Sequence, residues 1–182
     1  AFLVGSVSAD LRAASDRRRD DSTRVCEGAR RHAHSRGGRQ EAVMSDSKVK
    51  LERKAKKMIK SEYVVWLTTV DANHVPQPRP VWFIWDEDAF LIFSQPKAHK
   101  VQHIRENGSV SLHFNTDETG DQNVVVYIGM ATLDAKTPPA HKVSAYLRKY
   151  RKGIKELGMT LEQFSKEYST AIRVKPTSLR GW

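Results

Sequence analysis

Proline occupies every second position at Pro76, Pro78 and Pro80. A proline fixes its own φ and has no N–H to give to a ladder, so this stretch is extended but cannot be the middle of a sheet. Only after Pro80 can the chain enter one, and Val81-Trp82-Phe83-Ile84-Trp85 then reads as a strand. Asp86-Glu87-Asp88 is a short polar link to Ala89-Phe90-Leu91-Ile92-Phe93-Ser94. Two apolar runs joined so tightly make an antiparallel hairpin. Both runs are apolar on both faces, so each face must be covered.

The rest of the pattern supplies partners for that hairpin. Residues 46–60 mix Lys with Val49, Leu51, Ala55, Met58 and Ile59, as in a first amphipathic helix. Tyr63 to Val70 is a β-branched and aromatic run ended by Asp71-Ala72-Asn73-His74, a strand and then a turn. Val101 and Ile104 give one apolar face to a helix from Lys97 to Glu106, closed by Asn107-Gly108, residue types that tolerate left-handed backbone. Ser109 to Phe114 alternates strictly, and Val124 to Leu133 is a further strand with Gly129 in its interior, the mark of a bulge or a close approach. Pro138-Pro139 opens a helix with Val143, Tyr146, Leu147 and Tyr150 on one face and Gly153 as its stop. Thr160-Leu161-Glu162-Gln163 has the form of a capping box, and Thr170 to Val174 is a last strand before Pro176. The sum is a mainly β fold of six strands, mostly consecutive and antiparallel, with about four short helices around a small barrel.

Composition divides the chain in two. Residues 1–43 hold nine Arg and no Lys, whereas residues 44–182 hold seven Arg and fifteen Lys. The first segment lacks a helical or strand period and is expected to be a disordered Arg-rich leader. Met44 is followed by Ser45-Asp46-Ser47, good helix-capping residues, so Met44 is expected to be the natural start and residues 1–43 an upstream extension. The single cysteine, Cys26, excludes an internal disulfide and a cysteine zinc site, and fits a reducing, cytoplasmic setting. No run approaches the roughly 20 apolar residues of a membrane span.

The net charge is +10. Without the leader, 22 basic and 15 acidic residues remain, so the folded part attracts anions in its own right. Nucleotide loops of the Walker and Gly-x-Gly-x-x-Gly types, the Gly-x-Ser-x-Gly elbow and the His-Glu-x-x-His pair are all missing. His99 and His103 share a helix face at i, i+4, but no carboxylate stands nearby as a third ligand, so no metal is assigned. The most informative stretch is Ser94-Gln95-Pro96-Lys97-Ala98-His99-Lys100, which leaves a strand and opens a helix. Free N–H groups and the positive helix end there suit phosphate, and Lys97 and Lys100 add charge. A capping serine followed by ordinary surface lysines is an equally good reading of those residues alone.

Several segments together carry a resemblance: Trp66 to Val70, Pro76 to Asp86, Leu91 to Pro96, Lys100-Val101 with Ser109 to Phe114, Tyr146 to Tyr150, Tyr168-Ser169 and Ile172 to Trp182. From about Val49 to the C-terminus the chain resembles the pyridoxamine-phosphate-oxidase-like split-barrel family, and within it the branch of coenzyme F420-dependent enzymes. The resemblance implies a homodimer with a flavin or deazaflavin in a groove at the subunit interface. It implies that Val81, Trp82, Phe83 and Ile84 flank the ring and ribityl chain. Ser94 and Gln95 would meet the ribityl-phosphate part, Lys97 and Lys100 would hold phosphate, and Gln122, Asn123 and Val124 would complete the groove. The cofactor would be coenzyme F420, with FMN as the alternative, serving hydride transfer with a small organic substrate. His99 stands before Lys100 where the FMN enzymes of the family carry a basic pair, and vitamin oxidation is not expected.

The cluster Arg148, Lys149, Arg151, Lys152 and Lys155 is a place where the oligoglutamate tail of a deazaflavin could rest, beside the simpler reading of a solvated helix end. His113 and Tyr127 are conceivable proton donors, but nothing in their spacing selects either, so no catalytic residue is assigned. Two other classes compete: a polyanion or nucleic-acid binder, motivated by charge, and a haem-binding barrel with His74, His99 or His113 as axial ligand.

Overall fold

The computed structural model describes residues 52–120 and 123–182. The expectations for residues 1–43, for Met44 and for Gln122 lie outside the described residues. Helix α1 covers residues 52–61 and sets Ala55 and Met58 into the core. The strands are β1 (Val64–Val70), β2 (Pro76–Trp82), β3 (Ile84–Asp86), β4 (Ala89–Ser94), β5 (Ser109–His113), β6 (Val125–Leu133) and β7 (Thr170–Gly181). Helix α2 (His99–Glu106) precedes β5, and α3 (Ser144–Glu156) and α4 (Leu161–Glu167) lie between β6 and β7. All seven strands join one antiparallel sheet in the order β2-β1-β5-β6-β7-β4-β3.

The seventh strand arises because Val81–Trp85 is divided at Phe83. β2 and β3 are opposite edges of the sheet, yet they follow one another across that one residue. The sheet must therefore curl until its edges approach, which gives the barrel expected from the sequence. Phe83 stands outside both ladders, so its backbone needs other partners. Tyr150 of α3 provides them: its hydroxyl oxygen accepts the Phe83 N–H at 2.7 Å, and its O–H is shared between the carbonyls of Phe83 at 2.7 Å and Tyr63 at 2.8 Å. Lys149 Nζ donates to the same Phe83 carbonyl at 3.1 Å and sits 3.7 Å from the Phe83 ring centroid.

The strand expected only after Pro80 begins earlier, because the proline run itself forms the edge strand β2. Pro80, Pro78 and Pro76 pair with Trp66, Thr68 and Val70 of β1. Lacking N–H groups, they fit the positions that do not exchange hydrogen bonds, and Val81, Arg79 and Gln77 are left to bond to β1. At the other edge, Asp86 pairs with Ala89 around a two-residue turn in which Glu87 and Asp88 both have positive φ (49° and 57°). This is the backbone of a type I′ turn, built without glycine.

β4 is buried on both faces, as required. Phe90 and Ile92 enter the barrel interior with Phe83, Phe114 and Tyr127, whereas Leu91 and Phe93 face outward into a second core with Tyr146, Tyr150, Ile154 and Phe164. Burying each such side chain stabilises by about 1.5–3 kcal/mol. The helices α3 and α4 thus cover the outer face of the hairpin.

Three local expectations change. Gly153 does not stop α3; it lies inside the helix because a Cβ there would fall 2.9 Å from the Trp82 ring and against the Tyr63 hydroxyl. The stop is Gly158 at φ 73°, with Gly158 N–H donating to the Lys155 carbonyl and Met159 N–H to that of Ile154, a Schellman arrangement. Asn107 leaves α2 in an extended conformation at φ −145° rather than a left-handed one. The last strand does not end before Pro176 but continues to Gly181, because Thr177 is an extra residue opposite the Ile128–Gly129 step and takes the proline through a bulge. Gly129 allows this close passage, since a Cβ on it would lie 2.5 Å from the Lys175 carbonyl oxygen. The capping box at Thr160 forms as expected, with Gln163 N–H donating to Thr160 Oγ1 at 3.1 Å and Thr160 N–H to Gln163 Oε1 at 2.8 Å.

Candidate functional site

Two hollows meet beside the start of α2. The first, of about 470 Å³, is lined by Thr69 and Asp71 at the end of β1, Gln77 and Arg79 of β2, and Ala98, His99, Lys100 and His103 around α2. The second, of about 290 Å³, is walled by Pro80, Val81 and Trp82 of β2, Phe93, Ser94 and Gln95 at the end of β4, and Tyr146, Leu157, Phe164 and Tyr168 from the α3–α4 layer. Ala98 and Lys100 line both. One hollow is therefore polar and cationic, the other is lined mostly by aromatic and aliphatic side chains, and a lysine stands at their junction.

The electrostatics follow from who is already paired. Asp71 is the acidic group in the polar hollow, and its carboxylate accepts the N–H groups of Asn73 and Val75 at 2.9 Å each and the Gln77 amide at 3.0 Å. Those bonds close the β1–β2 turn and hold the carboxyl below its usual range, chiefly through Val75. Among the described residues neither Arg79 nor Lys100 is in an ion pair with a carboxylate. Burial, and secondly the nearby Arg79, push the Lys100 ammonium below the ordinary lysine value. An incoming anion would relieve both effects. His103 Nδ1 is 2.9 Å from Thr69 Oγ1, and its ring centroid lies 6.4 Å from that of His99. Among the described residues no group of three or more His, Cys, Asp or Glu is placed to hold a metal.

The aromatic hollow is stiff. Trp82 stacks on Tyr150 at 4.7 Å between ring centroids with planes 4° apart, and on Phe164 at 5.8 Å. Phe164 in turn stacks on Tyr168 at 4.5 Å. Gln95 bridges to α4 through a 2.5 Å bond from its amide to Glu167 Oε1.

Of the residues singled out in the sequence, Val81, Trp82, Ser94, Gln95 and Lys100 come together here. Phe83 is fully buried in the barrel core and Ile84 in the outer core, so their side chains line neither hollow. Lys97 is exposed on the turn before α2 and lines neither. Asn123 lines a different cleft with Lys54, Ser61, Glu62 and Asn115, at the beginning of β1 rather than its end, and Val124 follows it. In the basic cluster of α3, Lys149 is committed to the Phe83 carbonyl and its ammonium is lowered to about 8 by burial, while Lys152 pairs with Glu156 at 3.8 Å. Neither conceivable proton donor lines the hollows. His113 stacks on Trp66 and is lowered by burial, and Tyr127 packs on Phe90 with its hydroxyl raised to about 12, also by burial.

Sequence reasoning missed Gln77 and Arg79, although both share the β2 face of buried Val81 by simple alternation. It also missed Phe93, Tyr146, Phe164 and Tyr168 as walls, because the docking of α3 and α4 on β4 has no local signal.

The sequence pattern described as pyridoxamine 5'-phosphate oxidase matches residues 51–182. This chain belongs to that family. Its curled antiparallel sheet with peripheral helices is the split-barrel fold of the pyridoxamine 5'-phosphate oxidase family. No curated protein matches the chain. Solved structures similar to this family member include a conserved hypothetical protein of Mycobacterium tuberculosis, at 17% identity over 72% of this chain and 83% of that one, with a TM-score of 0.59. An F420 reductase is 19% identical over 69% and 94% of the two chains, with a TM-score of 0.52. The haem storage protein HutZ of Vibrio cholerae is 16% identical over 71% and 93%, with a TM-score of 0.51. At these identities the likeness is one of fold.

Proposed function

We propose that this chain is an oxidoreductase that transfers a hydride between reduced coenzyme F420 and a small organic substrate, with FMN as the alternative cofactor. The observation that carries the reading is the junction at Lys100. A partly buried lysine without a carboxylate partner among the described residues, backed by Arg79, stands between a cationic hollow and an aromatic one. A molecule with an anionic tail and a planar apolar ring fits that pair of environments, and a deazaflavin or flavin is such a molecule.

The residues present suit the group. Lys100 and Arg79 would hold the phosphate, Ser94 and Gln95 would meet the chain between phosphate and ring, and Val81 and Trp82 would lie along the ring. When bound, the cofactor supplies the hydride. The protein's part is to orient the ring against the rigid Trp82 stack and to keep water from it with the α3–α4 layer.

In the same reading the working unit is a homodimer. One chain leaves Asn123 and Val124 at the far end of β1 from Lys100. A second copy set across the cleft could supply what one chain keeps away. The working compartment is the cytoplasm, in keeping with a single cysteine and with the fact that no helix among the described residues is long and apolar enough to cross a membrane.

Equilibrium titration of the full chain with F420, FMN and inorganic phosphate, followed by ligand or tryptophan fluorescence at fixed salt, tests this. Saturable binding of F420 in preference to FMN is expected. Preference for FMN transfers the reading to the flavin alternative, and binding of neither ring overturns it.

A further inference from the structure

A third hollow, of about 370 Å³, shares no lining residue with the two beside α2. Its walls are Ala55 and Ile59 of α1, Trp85 of β3, Tyr127 of β6 and Leu179 of β7. Trp85 is 38% exposed, and its ring meets that of Phe90 edge-on at 5.0 Å, which fixes it as an aromatic wall. A concave, mainly apolar surface of this volume is the size of a small-molecule site.

Tyr127 brings a phenol to these walls. Its ring packs inward, edge-on to Phe90 at 5.0 Å, and the residue is 6% exposed. Among the described residues its hydroxyl has no hydrogen-bond partner, and burial alone raises it to about 12, so it is a proton donor at neutral pH. The enclosed side-chain atoms without a partner among the described residues are two others, His141 Nδ1 and the Tyr146 hydroxyl. The Tyr127 hydroxyl is therefore unpaired but not sealed in, and the hollow that Tyr127 lines gives a ligand access to it. Tyr150 is the contrast: the fold itself uses its hydroxyl, through Phe83 and Tyr63.

The charges at the mouth decide the class of ligand. Glu52, Lys56 and Lys60 follow one another at single-turn spacing on α1, and Asp88 belongs to the β3–β4 turn. Two are acidic and two basic, and among the described residues none is in an ion pair. The mouth thus carries no net charge and does not select an anion, unlike the hollow of Arg79 and Lys100. An ion moved against apolar walls would lose hydration without a surplus of opposite charge to replace it.

We infer that this hollow is a second ligand site, for an uncharged and mainly apolar molecule with one hydrogen-bond acceptor, such as an aromatic ketone. Its ring lies against Trp85 and its carbonyl oxygen accepts from the Tyr127 hydroxyl. A hydrocarbon of the same shape leaves that hydroxyl desolvated and unpaired, and is disfavoured for that reason. The inference does not depend on the cofactor reading.

The test is a ligand-observed NMR titration of the full chain with acetophenone and with α-methylstyrene, in which a CH₂ replaces the carbonyl oxygen. Each titration is repeated with F420 or FMN present. Tyr127→Phe removes the donor, and Leu179→Trp fills the hollow while keeping the donor. Wild type should bind acetophenone saturably and about tenfold more tightly than α-methylstyrene, the worth of one buried hydrogen bond. Neither F420 nor FMN should displace it. Tyr127→Phe should bind the two alike at an unchanged melting temperature, and Leu179→Trp should bind neither. Absence of saturable acetophenone binding overturns the inference, as does its displacement by F420 or FMN, which would place it in the cofactor hollow. A ketone preference that survives Tyr127→Phe, a lowered melting temperature in that variant, or binding retained by Leu179→Trp would each overturn it too.

Discussion

Gly153→Ala couples the packing of α3 to the shape of the cleft. In an open helix the change would stabilise by about 1 kcal/mol, because alanine is the better helix former. Here the new methyl would lie 2.9 Å from Cη2 and 3.1 Å from Cζ2 of Trp82, and against the Tyr63 hydroxyl. Tyr63 is 41% exposed and its end can swing toward water. Trp82 cannot retreat as cheaply, because its ring is stacked on Tyr150 and Phe164. Overpacking of this kind costs about 1–3 kcal/mol. Disturbing the aromatic stack adds about 0.5–1.5 kcal/mol. The expected net effect is a destabilisation of about 1–3 kcal/mol, read by urea unfolding at an unchanged m-value. Trp82 also walls the aromatic hollow, so a displaced ring should lower ring-cofactor affinity as well. A variant as stable as wild type, with the same affinity, would refute the reasoning.

Asp88→Gly should stabilise by about 1 kcal/mol, since Asp88 holds φ 57° in the β3–β4 turn and glycine adopts that conformation without steric cost; thermal unfolding reads it. Arg173 binds Asp86 at 2.8 Å and Asp134 at 2.9 Å, and Asp134, held chiefly by Thr137 and Lys136, is lowered to about 2. A lowered carboxyl stabilises the fold above its unfolded value of about 3.9 and loses that contribution as pH falls through about 2, so Asp134→Asn should flatten the acid limb of the stability curve there. At neutral pH the same change should cost about 1 kcal/mol, a modest figure because solvent reaches the cluster. The lowered Lys100 loses its proton earlier than an ordinary lysine as pH rises, so affinity for a phosphate-bearing ligand should decline at a pH below 10.5, and Lys100→Arg should remove that decline.

The strands were readable because their alternation is local, but the one expected to begin after Pro80 begins at Pro76, since prolines at every second position leave Gln77, Arg79 and Val81 free to bond to β1. The division at Phe83 was not readable, since nothing in Val81-Trp82-Phe83-Ile84-Trp85 signals that a distant tyrosine will take the central residue's N–H. Gly153 was misread for a related reason. A glycine near a helix end suggests a stop, but what fixes it is Trp82, from another element. Lys100 could be picked out by its position at a helix start. Tyr146 looked like ordinary core, and its unpaired hydroxyl becomes visible only once α3 is set against β4.

The claim that one molecule spans both hollows is tested most directly by a thermodynamic cycle: calorimetric binding of FMN and riboflavin to wild type and to Lys100→Ala, repeated with F420 and its phosphate-free chromophore. If Lys100 holds the phosphate while the ring occupies the aromatic hollow, the substitution should cost the phosphate-bearing ligand about 1–3 kcal/mol. The phosphate-free partner should lose almost nothing. Equal losses for both ligands of a pair, or no loss for either, would contradict the account.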